Sequence, residues 1–351
     1  MSTIKDKILH KSKIYPIVLI LIILVVRNYR EKNAQEETSE FTQIQGTTMG
    51  TTYSIKYENE LQSNLKNSVD SILADFNNSL STYIEQSEIS KFNRQDSISL
   101  SYPYLRYMFN ESQRIYENTQ GAFNPTVMPL VRAWGFGPGE ATYPDSSKVD
   151  SIMQYIDFES IQLKGNQLHK IKEGVELDFS AIAKGYGVDV VAQYLTSLGI
   201  NNYMVEIGGE IVCKGHNPAG KSWTIGVEDP QSNGLSQSAI ASLTLNNQAI
   251  ATSGNYKNFK IKDGVKYAHT INPFTGYPQM QTLLSASVIA PTCAEADAYA
   301  TAFMVLGFDK SKDLIENLDN VHAYLIYSDE EGNVKSFISD DKLKKQFVTL
   351  Q

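Results

Sequence analysis

Residues 176–189, ELDFSAIAKGYGVD, constrain this chain more than any other stretch, because two secondary-structure periods meet inside them. Val175, Leu177 and Phe179 alternate with Glu176, Asp178 and Ser180, which is the period of a half-buried strand, so a strand is expected to end near Ser180. Beyond it come Ala181, Ala183, Lys184, Gly185 and Gly187, and then Val188, Val191, Leu195 and Leu198 at helical spacing. The chain must therefore pass from strand to helix at a corner made of small residues and one lysine. The first N–H groups of a helix have no intrahelical partner and the dipole is positive there, so such a corner suits an anion. An ordinary strand-to-helix turn carrying a surface lysine has the same composition, and both readings stand at this point. No GKS or GKT follows a glycine here, which excludes a Walker loop.

The chain around this corner is long enough for one large domain or two ordinary ones, with 351 residues of which 42% are hydrophobic. Its formal net charge is -8 and no basic block occurs outside the N-terminus, which argues against a nucleic-acid partner. Cys213 and Cys293 lie far apart with no CxxC or Cys/His spacing, so zinc is not indicated; the sequence leaves open whether they pair. Residues 1–13 carry Lys5, Lys7, Lys11 and Lys13, residues 14–26 form an apolar run, and residues 27–40 are a polar linker. A basic flank before an apolar run, without a small-residue cleavage site, reads as an uncleaved signal anchor with the body of the protein outside the cytoplasm. A buried core helix is the competing reading of the same run. The globular domain is expected over residues 41–351.

Within that domain, residues 43–57 read as a strand bent or interrupted at Gly46 to Gly50, residues 61–80 as a helix, and residues 81–93 as a loop. The aromatic, glycine-rich stretch 118–139 reads as a loop packed on a core or as the wall of a site for a flat ring. Residues 203–213 read as one buried strand carrying Gly208 and Gly209 between two glutamates, with further strands at 223–227 and 240–245. A strand from residue 284, a break at Pro291 and a helix beginning near Thr292, with Glu295 completing a capping box, close the pattern. Strands and helices do not alternate regularly, so an α+β fold is expected: a mixed sheet with packed helices.

Asp297 and Thr301 are four residues apart and project from one helix face. A carboxylate with hydroxyl or carbonyl oxygens is the hard donor set that suits Mg²⁺ shared with substrate phosphates, whereas a solvated helix face has the same spacing. The alanines at 294, 296, 298, 300 and 302 make this helix small-sided enough for a ligand to approach. His269 precedes a turn at residues 272–276, where it serves either as a general base or as a structural residue. No GxSxG elbow is present to support a serine hydrolase.

Taken together, TTMGTTYSI, STYIEQSEISKFN, GAFNPTVMPLVRAWGFG, ELDFSAIAKGYGVD, EIGGEI, HTINPFTGYP and AEADAYATAFMVLG occur in the order found in ApbE-type flavin transferases, and the chain resembles that family over roughly residues 41–327. The resemblance implies an FAD:protein FMN transferase that uses Mg²⁺ to split FAD at its pyrophosphate. It joins FMN through a phosphoester to a threonine of an acceptor flavoprotein, a redox-complex subunit or exported protein, and releases AMP. It also implies attachment to the bacterial inner membrane with the catalytic domain on the periplasmic side. Carried over by position, the FAD contacts are Met49, Tyr83, Ala122, Phe123, Asn124, Asp178, Lys184 and Ile271. The Mg²⁺ ligands are the Ala181 carbonyl, Asp297 and Thr301, and the catalytic residues are His269 and Asp297. Asn124 and Asn272 stand where the family pattern often has aspartate, so neither is a catalytic carboxylate here, and no lipobox cysteine follows the apolar run. Two alternatives are a Mg²⁺-dependent FAD pyrophosphatase, giving FMN and AMP, and a non-catalytic flavin-binding protein on the membrane surface.

Overall fold

The structure, a computed structural model, describes residues 40–59, 63–228, 239–255, 259–262, 265–278 and 282–349. Among these no helix is long and apolar enough to cross a membrane. The expected anchor at 14–26, the basic segment before it and nearly all of the linker lie outside the described residues. Residues Phe41–Gln351 form one compact unit.

Its centre is an eight-stranded sheet. The strands are β1 (Phe41–Thr48), β2 (Thr51–Glu58), β3 (Tyr203–Ile207), β4 (Glu210–Lys214), β5 (Gln248–Gly254), β6 (Leu283–Ala290), β7 (His322–Ser328) and β8 (Val334–Ile338). They lie side by side in this order and every pairing is antiparallel. The α+β expectation holds, but the sheet is not mixed: tight hairpins join β1 to β2 and β3 to β4, and such turns connect only antiparallel neighbours. Among the described residues, the longest helices are α1 (Lys66–Leu80), α2 (Tyr104–Asn118), α3 (Ala183–Ser197) and α4 (Cys293–Leu306).

Both faces of the central strands are covered, which explains their continuous apolar runs. Ala251, Ala286, Val288, Ala290, Ala323 and Leu325 face the helical core, while Ile250, Ile289, Tyr324 and Ile326 face a second core. That second core lies under a small three-stranded sheet of residues 223–228, 239–245 and 347–349. Cys213 belongs to this core and Cys293 to a cluster on the helical side, and both thiols are free, so the two do not form a disulfide.

Helix α4 is buried almost all round, and its five alternate alanines are fully shielded from solvent. Their small side chains let the helix lie close on β5, β6 and α3; they do not form the open face for a ligand that the spacing suggests. Its start is as expected, with the Thr292 hydroxyl accepting from the Glu295 N–H at 3.2 Å. The Glu295 carboxylate reaches Arg114 at 2.8 Å.

Three local expectations change. Residues 175–179 have no regular secondary structure and pair with no strand, although their apolar side chains are buried. The Asn93 amide takes the place of a neighbouring strand, donating to the Leu177 carbonyl and accepting from the Leu177 N–H, both at 2.8 Å. The single strand expected at 203–213 is the β3–β4 hairpin, turned by Gly208 and Gly209 at φ +63° and +104°. The loop expected at 81–93 holds a short helix, Glu88–Arg94, capped by the Ser87 hydroxyl. The interruption expected at 46–50 is the β1–β2 turn.

Candidate active site

A cavity of ≈ 1190 Å³ opens beside the start of α3, the side of α4 that carries Asp297, Thr301 and Val305, and the tips of the two hairpins, and every site residue named from the sequence lines it. Its floor is the corner at residues 178–185. The Asp178 N–H donates to the Pro125 carbonyl at 2.7 Å, and its buried carboxylate accepts from the Ser180 N–H at 2.9 Å. Burial pushes the Asp178 carboxyl above the ordinary range, with the Ser180 bonds opposing the shift. Ala181 follows on the cavity wall, and α3 then carries Lys184 into the cavity from its first turn.

Gly185 explains why α3 and α4 meet so closely. A Cβ there would lie 2.2 Å from the Cys293 carbonyl oxygen, so only glycine allows the crossing. The Gly185 N–H donates to Asp297 Oδ2 at 3.0 Å, using one of the unpaired donors at the start of α3. The anion accepted at this corner is thus, in part, the protein's own aspartate. Asp189, one turn along α3, caps the start of α4 by accepting from the Cys293 and Ala294 N–H groups, each at 2.8 Å.

The charged centre of the cavity is Lys184 between two buried carboxylates. Its Nζ lies 2.7 Å from Glu210 Oε1 and 3.6 Å from Asp297 Oδ1. Burial opposes its charge, but Asp297 and Glu210 together outweigh that and hold Lys184 above the usual lysine pKa. Burial pushes Asp297 up, against Lys184 and the Gly185 N–H, and drives Glu210 up to about 7 in spite of Lys184. Both shifts are upward, which favours a charged Lys184 but an uncharged Glu210. The 2.7 Å contact to an ammonium held in its charged form favours Glu210 as a carboxylate near neutral pH.

The rim is built from separate elements. Met49 sits in the β1–β2 turn at φ +50°, and its methyl group packs at Gly187 of α3. Tyr83 is exposed, and its hydroxyl donates to the Phe136 carbonyl at 3.3 Å. Partial burial and the charge of Asp178 raise its pKa. Ala122 and Phe123 are buried and meet the cavity at its wall. The Asn124 oxygen accepts from the Thr126 N–H and hydroxyl at 2.9 and 2.6 Å, a turn that orders the segment before Pro125. Asn272 does the same for the turn after Ile271, accepting from the Phe274 N–H at 2.8 Å. Aspartate would accept the same bonds, so in both places the missing negative charge is compatible with an unchanged turn. His269 is half-buried and lines the cavity beside Thr270 and Ile271.

Several lining residues lie outside the set that the sequence pattern marks. Glu210 is the chief one; its signal is a charged residue inside an apolar strand. Lys260 also reaches the cavity, donating to the Gly135 carbonyl and lying 5.6 Å from the centre of the Phe136 ring. Ser253, whose hydroxyl is 3.3 Å from that of Thr301, lies on β5.

The donor set fits a hard divalent cation. Asp297, whose Oδ1 lies 3.6 Å from the Lys184 ammonium, lines the same cavity as Thr301 and Ala181. One carboxylate with neutral oxygens leaves most of a six-coordinate shell to water and phosphate, as Mg²⁺ prefers. Chemically, the site offers a buried carboxylate, one fixed ammonium, a histidine and an aromatic rim around a single cavity.

Comparison with known proteins places the chain in a family. The model of the ApbE family matches residues 49–325. An FAD:protein FMN transferase of Vibrio cholerae is 38% identical over 306 residues, covering 85% of this chain and 90% of that protein. One from Haemophilus influenzae is 37% identical over 315 residues, covering 86% and 90%. Among solved structures, the flavin transferase ApbE of Vibrio cholerae superposes with a TM-score of 0.79 at 36% identity, over 88% of this chain and 99% of that one. The apo flavinyl transferase ApbE of Pseudomonas stutzeri gives 0.76 at 30% identity, over 87% and 96%. With most of its length matched and its site residues gathered in one cavity, this chain belongs to the ApbE family.

Proposed function

We propose that this chain is an FAD:protein FMN transferase, which moves the FMN part of FAD onto a threonine hydroxyl of an acceptor protein. The observation that carries the reading is the convergence of Met49, Tyr83, Asp178, Lys184, His269 and Asp297 on one ≈ 1190 Å³ cavity, in a chain 38% identical to an enzyme of that name. The cavity is above the roughly 300–1,000 Å³ of ordinary small-molecule sites, which leaves room for a dinucleotide.

In this reading the rim formed by Met49, Tyr83 and residues 122–124, with Ile271, holds the flavin nucleotide, and Lys184 faces the pyrophosphate. Mg²⁺, held by Asp297, Thr301 and the Ala181 carbonyl, supplies positive charge to the phosphoryl oxygens when bound. His269 takes the proton from the threonine hydroxyl as its oxygen bonds to the FMN phosphorus. The phosphoanhydride bond breaks and AMP leaves with the bridging oxygen. Lys184, fixed in place before the reaction, opposes the negative charge that develops. The acceptor is a redox-complex subunit or exported flavoprotein with a threonine-containing motif. The apolar run 14–26 behind its basic flank supports attachment to the bacterial inner membrane with the domain on the periplasmic side.

The test is incubation of the purified protein with FAD and Mg²⁺, with and without an acceptor bearing a threonine motif. Flavin fluorescence that stays on the denatured acceptor is the expected result. Free FMN and AMP in equal amounts, regardless of acceptor, would make the protein a pyrophosphatase; unchanged FAD would leave only binding.

A further inference from the structure

Glu210 is the first residue of β4, directly after the Gly208–Gly209 turn, and is 3% exposed. Oε1 holds the Lys184 ammonium at 2.7 Å, while Oε2 is buried with no hydrogen-bond partner among the described residues. A buried carboxylate with one oxygen unsatisfied is a poor way to stabilise a fold, since an apolar side chain of similar volume often does as well or better. The placement makes sense from the other side of the lysine. Asp297 Oδ1 lies 3.6 Å from the same ammonium, which therefore sits between two carboxylates and nearer to Glu210. The lysine stem is guided there by the turn: a Cβ on Gly208 would be 3.3 Å from Lys184 Cδ and 2.8 Å from a Thr51 methyl.

We propose that Glu210 is a positioning residue that holds the Lys184 ammonium off Asp297, so that this carboxylate stays open to a divalent cation while the lysine charge still faces the phosphates. The inference rests on Asp297 being a metal ligand, as in the proposed function. With Glu210 neutral, the ammonium's remaining anionic neighbour is Asp297, and a lysine closed onto that oxygen competes with the cation for it. Glu210 thereby separates two positive charges that must act on one pyrophosphate.

The test is binding of Mn²⁺ alone to the full-length protein, read from the electron paramagnetic resonance of the free ion, in a double-mutant cycle of Glu210→Gln and Lys184→Met. Glu210→Gln is expected to weaken Mn²⁺ binding about tenfold, and Glu210→Asp to restore part of it. Lys184→Met should bind Mn²⁺ at least as tightly as the wild type. The double variant should match Lys184→Met within about twofold, because the competitor is gone. If Glu210→Gln weakens binding by the same factor in both backgrounds, Glu210 acts only through its charge and the proposal is overturned. Unchanged binding in Glu210→Gln overturns it as well. If the wild type itself takes up no Mn²⁺, the metal assignment at Asp297 fails first and this inference with it. Should Glu210→Gln fail to fold, the comparison of Glu210→Asp with Glu210→Asp/Lys184→Met reads the same coupling.

Discussion

Two glycines of α3, two residues apart, should respond to the same substitution in opposite ways. A Cβ on Gly185 would meet the Cys293 carbonyl oxygen at 2.2 Å, the Cys293 carbonyl carbon at 2.6 Å and the Ala294 N at 2.9 Å, all of them backbone atoms. To bring the closest of these out to 3.0 Å, the two helices must separate by at least about 0.8 Å. Overpacking of this kind costs about 1–3 kcal/mol. For a domain of this size that is a fall in Tm on the order of 2–6 °C. The functional loss should be larger, because the same crossing sets Lys184 on α3 against Asp297 on α4, and a displacement of about 1 Å at a reacting centre costs on the order of a hundredfold in rate. On Gly187 the added Cβ would meet the terminal methyl of Met49 at 2.6 Å, the far end of a flexible side chain. Gly187→Ala should therefore leave Tm unchanged or slightly raised, since alanine gains up to about 1 kcal/mol over glycine inside a helix. It should instead weaken FAD binding, by pushing the Met49 side chain into the cavity. Thermal melts, flavin-binding titrations and transfer rates on both variants are the assay. A Gly185→Ala protein with wild-type Tm and rate, or a Gly187→Ala protein more damaged in stability than Gly185→Ala, would refute the reasoning.

Asp297→Asn keeps an acceptor for the Gly185 N–H but not the charge, so transfer should fall at least a hundredfold with the circular dichroism spectrum unchanged; near-normal covalent flavin on the acceptor would sink the metal assignment. His269→Ala should slow transfer about a hundredfold while FAD binding stays within about threefold, and lost binding would make this histidine a contact rather than a base. Asn93→Ala strips both bonds from the Leu177 backbone and should cost roughly 2–4 kcal/mol in urea denaturation; a loss below about 0.5 kcal/mol would mean the segment is held by its buried side chains alone. Burial raises Asp189 to about 7, above its ordinary 3.8, despite the bonds from Ala294 and Cys293. Between those values the folded state binds more protons than the unfolded one. Its contribution to stability therefore declines as pH rises through this window, by up to about 1.4 kcal/mol per pH unit. Asp189→Asn should flatten the dependence of the urea midpoint between pH 5 and 7, and an unchanged slope would exclude Asp189 as its source.

What the sequence made legible at the site was whatever depends on local period or on a linear motif. The helical spacing after Lys184 and the Thr292 cap each follow from a handful of consecutive residues and are found where expected, as is the burial of Val175, Leu177 and Phe179, although Asp178 between them is buried too. Burial alternation does not reveal what pairs with the backbone, however. Residues 175–179 have the pattern of a strand although their partner is an asparagine side chain 84 positions from Leu177. Composition misleads at α4 for a related reason: alanines suit both an open ligand-facing surface and a close helix crossing, and only the position of Gly185 against the Cys293 carbonyl distinguishes the two. The most consequential difference is at Gly208–Gly209. Read inside one buried strand, the pair leaves Glu206 and Glu210 four residues apart on a common face, with nothing to single out either. Read as a two-residue hairpin, for which paired glycines are a known signal, it folds the strand back and sets Glu210 opposite Ile207. That turn sets Glu210 in a buried position beside Lys184, so a single hairpin decides whether the corner lysine stands alone or is held by a carboxylate behind it.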